Sequence, residues 1–464
     1  MKSEHKKTYL QTGAEAPAKF LDKSVRITKK TTNRFISNKL AKAPRKYWNT
    51  LGPGFITEAA DQDPSGIATF SQTGAQYGFH FLWLALWLWP FDSIITSMTG
   101  RIGAATGKGL ASNIRSLFSR RVLYACVLAV FAADAITIGA DLGAMAKSVQ
   151  LLEPKLDFGL VVIAFAVIIA GFQIYTSYAK YAKFLKYLAL ILFAYVGSAL
   201  LSHLGWKNIL THYTFTPHLS FSKNDLIIIC AIIGTTISPY MFFWQSSQEV
   251  EEAIKVGKLT IKQRAHVTRR QIHAINLDVW SGAFFCEAIA YFIVAACGGV
   301  LFMHGITNIQ TAAQAAEALR PFAGQATYLL FAAGIIGAGL LAIPVLAGAS
   351  SYAISESFGW KEGLYKKLGG ASAFYGTIII SMIIGISMNF LGINPIKALI
   401  YAAVANGIVA PIVMATILRI GSNEKIMGQW KNSKIGTAVG WFTTVVMGLS
   451  GLAAIYALIP SKWL

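Results

Sequence analysis

A chain of 464 residues with 55% hydrophobic and 13% charged side chains is too apolar for a soluble domain, in which about a quarter of residues carry charge. Its formal charge of +20 would suit nucleic acid, but the Lys and Arg residues lie in short connections and form no single basic face, which argues against that partner. The four cysteines, Cys126, Cys230, Cys286 and Cys297, sit in apolar runs without C-x-x-C spacing and read as buried small hydrophobes.

Residues 1–46 are polar and basic with no apolar h-region, so the expectation is a cytosolic tail without a cleaved signal peptide, resting on anionic lipid. From Leu51 onward, apolar stretches long enough to cross a bilayer recur to the end of the chain. They predict spans at 51–78 (broken), 81–100, 122–150, 158–176, 184–203, 225–250 (broken), 272–300, 326–356, 371–391, 396–419 and 437–460, about eleven helices in one polytopic membrane domain. Basic residues fall in alternate connections. Arg101 to Arg121, Lys180 to Lys186, Lys255 to Arg270, Lys361 to Lys367 and Arg419 to Lys434 carry them, while 151–157 holds only Lys155 and 303–325 only Arg320. The positive-inside rule then predicts a cytoplasmic N-terminus and an outer C-terminus in the plasma (inner) membrane.

The first span is interrupted by Asp61-Gln62-Asp63-Pro64-Ser65-Gly66. Proline removes a donor and obstructs the preceding turn, freeing carbonyls around Glu58 to Asp61. Hydrocarbon tolerates such groups only where they are buried in protein or line a watery cavity, and a carboxylate there reads as part of an ion or substrate path. The sixth span is interrupted in the same way by Gly234-Thr235-Thr236-Ile237-Ser238-Pro239-Tyr240. The two breaks are five helices apart, an odd number, so the halves carrying them run in opposite senses. Matched breaks in inverted halves point to a secondary transporter with its site at the midplane. The expected organisation is a tail over 1–46, repeats over 47–203 and 204–420, and an extra helix over 421–464.

Asp63 is the leading candidate for binding a cation, with Thr235 and Ser238 adding oxygens and Asn406 as a lone amide in the tenth span. Thr236 offers a further hydroxyl; threonine and serine also back-bond harmlessly within helices. Asn406 reads equally as interhelical glue. Glu58 and Asp61 share a helix face. They read equally as an acidic funnel for a departing cation or as partners of basic loops. Asp134 and Asp141 share a face of the third helix near Lys147, as a relay or a structural pair. Asp278 and Glu287 have no assigned role. The segment 248–252 reads as a solvated or loop-pairing face, and His203, His212 and His218 as solvated loop residues. The candidate ligands at the breaks are all oxygens, which suit hard ions such as Mg²⁺, Ca²⁺ or Mn²⁺. A Na⁺- or H⁺-coupled carrier of a small organic solute uses similar atoms and is an alternative, as is a non-transporting receptor on the same fold. No nucleophile–base pair or phosphate loop marks an enzyme, and no cofactor is expected.

Gly52-Pro53-Gly54-Phe55, Asp63-Pro64-Ser65-Gly66 and Ala104-Ala105-Thr106-Gly107-Lys108 resemble the first two helices of the Nramp divalent-metal transporters. The similarity runs from about residue 50 to 420. It implies the LeuT-type 5+5 inverted-repeat fold, a divalent metal as cargo and Asp63 as its carboxylate ligand. Measured against that family, Gly66 stands where it has a metal-binding asparagine, Ser238 where it has methionine, Thr235 where it has alanine and Tyr240 where it has histidine. Asp141 is kept, but alanine replaces the family's proton-path glutamate. Asn406 occupies the place of a polar tenth-helix ligand. This pattern is similar to the Nramp-related magnesium transporter branch. It implies passage of hydrated Mg²⁺ without a driving proton. The expectation is a transporter of Mg²⁺, and of Mn²⁺ too, that works as a monomer.

Overall fold

The computed structural model describes residues 47–48, 50–217, 222–309, 311–391 and 395–458, with the backbone alone for 395–405, 454 and 457–458. The predicted tail over 1–46 and His218 lie outside the described residues. The chain divides into a unit Met1–Leu51 and a unit Gly52–Leu464. The second is described here.

Every regular element among the described residues is helical. Short turns of three or four residues aside, in chain order they are α1 (Pro53–Asp61), α2 (Pro64–Tyr77), α3 (Leu82–Thr106), α4 (Leu110–Leu117), α5 (Arg120–Leu152), α6 (Phe158–Tyr175), α7 (Tyr178–Leu188), α8 (Phe193–Leu201), α9 (Trp206–His212), α10 (Lys223–Thr236), α11 (Pro239–Lys255), α12 (Arg269–Val300), α13 (Ala312–Phe358), α14 (Ser372–Phe390), α15 (Pro395–Gly421) and α16 (Lys434–Leu458). Eight stretches are long and apolar enough to cross a membrane by length and composition. With the α1–α2 pair, α3 and α15 they make up the eleven predicted spans of an all-α polytopic membrane protein.

Several helices outrun the predicted spans. The fifth begins at Tyr178, six residues before the expected 184, because Lys180 and Lys183 lie exposed on one face of α7 while Tyr178, Tyr181 and Leu185 are buried on the other. Lysines read as a connection are therefore helical. The eighth span extends back to Ala312 across a kink at Gly324, whose φ of 85° is open to glycine and costly for side chains with a Cβ.

Helix α12 is the central packing partner: α1, α2, α3 and α8 all pack on it, while α13, α14 and α15 pack on α5. Close approach rests on small residues. A Cβ at Gly74 would sit 2.5 Å from the Val294 carbonyl oxygen, and one at Gly298 2.6 Å from that of Gly78, so α2 meets α12 almost backbone to backbone. Asp278 on α12 holds the start of α1, accepting from the backbone N–H of Gly52 (2.7 Å), Gly54 (2.7 Å) and Phe55 (3.1 Å).

Candidate functional site

The two breaks share one local design. At the first, α1 ends at Gln62 (φ −77°, ψ 58°) and α2 starts with Pro64, which needs no donor at that position. Asp63, in extended conformation, caps α2 by accepting from Gly66 N at 2.6 Å. At the second, α10 ends at Ile237 (φ −113°, ψ 70°) and α11 starts with Pro239 behind an extended Ser238. The Ser238 hydroxyl turns back to the carbonyls of Gly234 (3.2 Å) and Thr235 (3.3 Å), which the break leaves without helical donors. Each break is thus a two-residue non-helical link, its second residue extended, followed by a helix with proline at its first position.

The breaks meet. A Cβ at Gly66 would lie 3.1 Å from Thr235 Oγ1 and 3.3 Å from Asp63 Oδ1, so glycine lets one link approach the other. Between them is a cavity of ≈ 40 Å³ lined by Asp63, Ser65, Thr69, Thr137, Ala231, Gly234, Thr235, Ser238, Tyr240 and Asn406. At about 10–15 Å³ per water it accommodates an ion with a few waters. No lysine or arginine and no sulfur atom is among these residues. Asp63 Oδ1 is committed to Ser65 Oγ (2.7 Å) and Gly66 N, neither of which uses its second oxygen. Asn406 Oδ1 is buried without a hydrogen-bond partner.

The structure therefore brings Asp63, Thr235, Ser238, Asn406 and Tyr240 to one cavity, with Gly66 not lining it but packed against Thr235 and Asp63, which do. Thr236 is buried with its hydroxyl unpartnered and is not a lining residue. Asp141 stands behind the cavity: its Oδ1 accepts from Ser65 N at 3.2 Å, so α5 braces the first turn of α2. Asp134 and Asp141 are not a mutual pair, because Asp134 accepts from Ser350 Oγ at 2.6 Å. Lys147 meets Gln150 (3.2 Å) and the Phe158 ring. Ser65, Thr69 and Thr137 were missed in the sequence; Thr69 and Thr137 donate to carbonyls four residues back, as threonines in any helix do.

Glu58 and Asp61 do not pair with basic loops. Both are buried, and the only ion pairs among the described residues are Lys255–Glu252 and Lys431–Glu424. The expected solvated face at 248–252 is largely buried as well, since Glu251 accepts from Tyr352 Oη (2.6 Å) and Leu364 N (2.7 Å). It pairs with the loop, as one of the two readings had it. His203 and His212 are exposed and the four cysteines are buried and free, as expected. A larger cavity of ≈ 370 Å³ lies where α4, α11 and α13 meet the 362–365 loop. Its Lys108, Arg115 and Arg264 are balanced by Glu251, Glu356 and Glu362, and it presents no single class of ligand.

Paired broken helices meeting at one cavity define a LeuT-type inverted-repeat membrane protein. Residues 54–457 match the model of the natural resistance-associated macrophage protein-like (Nramp) family, and the chain belongs to that family. It is 26% identical over 414 residues to the divalent metal cation transporter MntH of Caldanaerobacter subterraneus subsp. tengcongensis, covering 88% of this chain and 93% of that protein. Against the MntH of Klebsiella pneumoniae subsp. pneumoniae it is 24% identical over 428 residues, covering 90% and 97%. The fold is similar to the crystal structure of the Eremococcus coleocola manganese transporter in complex with an aromatic bis-isothiourea substituted compound (TM-score 0.69, 17% identity, 91% of this chain and 90% of that one). It is also similar to Mhp1, a nucleobase-cation-symport-1 family transporter, in a closed conformation (TM-score 0.57, 15% identity, 89% and 92%).

Proposed function

We propose that this protein carries divalent metal cations across the plasma (inner) membrane by alternating access, favouring hard ions: Mg²⁺, and Mn²⁺ beside it. The observation that carries this reading is the meeting of both breaks at a cavity lined by oxygen, with a carboxylate and no ammonium or guanidinium. The relatives named as divalent metal cation transporters support the substrate class.

Asp63 supplies the anionic ligand, Thr235 and Ser238 supply oxygens directly or through retained water, and Asn406 adds its amide oxygen. Hard oxygens without thiolate or thioether give no preference for softer transition metals. Mg²⁺ dehydrates reluctantly, and a site with one carboxylate and room for a few waters suits it. With Tyr240 and alanine in place of the family's histidine and glutamate, transport proceeds without a driving proton. The repeats run over 47–203 and 204–420, with the N-terminus cytoplasmic and the C-terminus outside. The ion is cargo, and the working unit is the monomer in its bilayer.

The test is flux of Mg²⁺, Mn²⁺ and Ca²⁺ into proteoliposomes, with internal pH recorded. Asp63→Ala should abolish Mg²⁺ and Mn²⁺ entry, and wild-type flux should leave internal pH unchanged. Undiminished entry through the Asp63→Ala protein would refute the assignment.

A further inference from the structure

The cavity between the breaks is exposed on one side. Four of its lining residues on α2 and α10, Ser65, Thr69, Ala231 and Thr235, are half-buried, while Asp63, Ser238 and Tyr240 at the α1 and α11 side are buried. Beyond these, α1 is buried from Gly54 to Asp61 and α11 from Pro239 to Glu249. Glu58 and Asp61 on α1 are sealed in with Asp92 on α3 and Glu287 on α12, all four buried. The site is therefore open toward α2 and α10 and shut toward the half-helices α1 and α11.

Two groups of helices meet on the shut side. Helices α1 and α11 are fastened to each other, Thr57 Oγ1 donating to Gln245 Oε1 at 2.6 Å, and Asp278 ties α1 to α12. Helix α13 packs on α5 in the other group, and the seam between the groups is α11 against α13. Two contacts close it, each from residues four apart and so on one face of their helix. Ser247 Oγ donates to Glu356 Oε1 at 2.8 Å, and Tyr352 Oη donates to Glu251 Oε1 at 2.6 Å. Glu356 also accepts from Ser112 N in the first turn of α4 (3.0 Å), and Glu251 from Leu364 N (2.7 Å). Glycine makes room for both: a Cβ at Gly109 would overlap the Glu356 carboxylate, and one at Gly363 would lie 2.9 Å from Glu251 Oε1.

We propose that Ser247–Glu356 and Tyr352–Glu251 are the cytosolic lock of this carrier. Closed, they hold the site open to the outside; when they part, the cation leaves through the seam between α11 and α13. The proposal rests on the alternating-access reading and the orientation given above. The chemistry suits a contact that must open and re-form. Neither carboxylate is in an ion pair among the described residues, and their donors are hydroxyls and backbone amides, for which water is a ready substitute. All four side chains line the ≈ 370 Å³ cavity, which has room for that water. Glu251 Oε2 is buried without a partner while the lock is closed, so opening gives it the hydration it lacks.

The experiment reads access to two single-cysteine reporters in the full-length protein, its four native cysteines replaced by alanine. Ala231→Cys lies on the open side, and Ala60→Cys, at a fully buried position, on the shut side. A membrane-impermeant maleimide is applied to right-side-out and inside-out vesicles without metal. With the lock intact, Ala231→Cys should label from outside and Ala60→Cys hardly at all. Adding Glu251→Ala and Glu356→Ala together should raise labelling of Ala60→Cys from the cytosolic face severalfold and lower that of Ala231→Cys. Glu356→Gln, which keeps one acceptor oxygen, should fall between. If the double variant does not fold, Ser247→Ala with Tyr352→Phe removes the donors alone and is read in the same way. Reporters that do not change, or that rise together as in a loosened fold, would overturn the proposal. Opposed shifts with the two faces exchanged would sink the orientation and uphold the lock. Because no metal is present, a failure of the cargo reading in the flux assay leaves this result standing.

Discussion

Replacing Asp278 with alanine removes the anchor of the first half-helix. Asp278 lies 3% exposed and accepts three backbone N–H groups at 2.7, 2.7 and 3.1 Å, all from the turn that opens α1. Hydrogen bonds to a charged acceptor contribute about 1.5–3 kcal/mol each. They do not sum, because some freed N–H groups find water; with each donor left unsatisfied costing about 1–3 kcal/mol, the set should cost about 3–5 kcal/mol. That is the expected loss for Asp278→Ala. Asp278→Asn keeps one acceptor oxygen and should lose roughly half, about 1.5–2.5 kcal/mol. Thermal unfolding of the purified protein in detergent checks both; for a domain larger than 250 residues each kcal/mol lowers Tm by about 1–2 °C. Proteoliposome flux should fall in the same order, since α1 carries the link that ends in Asp63. An Asp278→Ala protein that melts within about 1 °C of wild type would refute the reasoning, because the three contacts would then be holding nothing.

Two further substitutions probe the cavity. Ser238→Met introduces a soft thioether donor at the second break and should raise the ratio of Mn²⁺ to Mg²⁺ flux; an unchanged ratio would place Ser238 outside the ion's ligands. Gly66→Ala puts a methyl 3.1 Å from Thr235 Oγ1 and 3.3 Å from Asp63 Oδ1, so the links must part by a few tenths of an ångström. It should lower flux severalfold while costing about 1–3 kcal/mol of stability, separable by thermal unfolding and transport on the same preparation.

The breaks were legible because proline acts through the backbone wherever it sits. Asp63-Pro64 and Ser238-Pro239 had to start new helices, and both do. Their meeting followed from the inverted repeat, while Asn406, a lone amide in the tenth span, lines the same cavity. Asp278 was illegible for a related reason: its partners are backbone amides 223–226 residues away, and an amide leaves no mark in the sequence. Asp92 hid inside a tryptophan-rich run, where one carboxylate reads as a helix-surface residue until two other helices close over it. Glu58 and Asp61 were legible as a pair sharing one face. Whether that face met lysines or more carboxylates depended on α3 and α12, which local periodicity does not place. Thr137 shows the limit for hydroxyls, since one that bonds its own helix looks the same beside a cavity as beside a leucine.

The chamber between the breaks contains no methionine or cysteine among its lining residues. Peroxide and hypochlorous acid alter proteins chiefly at sulfur, turning thioethers into sulfoxides and thiols into higher acids. On the proposed assignment, an ion held by carboxylate, hydroxyl and amide alone offers such oxidants no sulfur among the residues lining its site, and flux should survive stress that disables a methionine-dependent site.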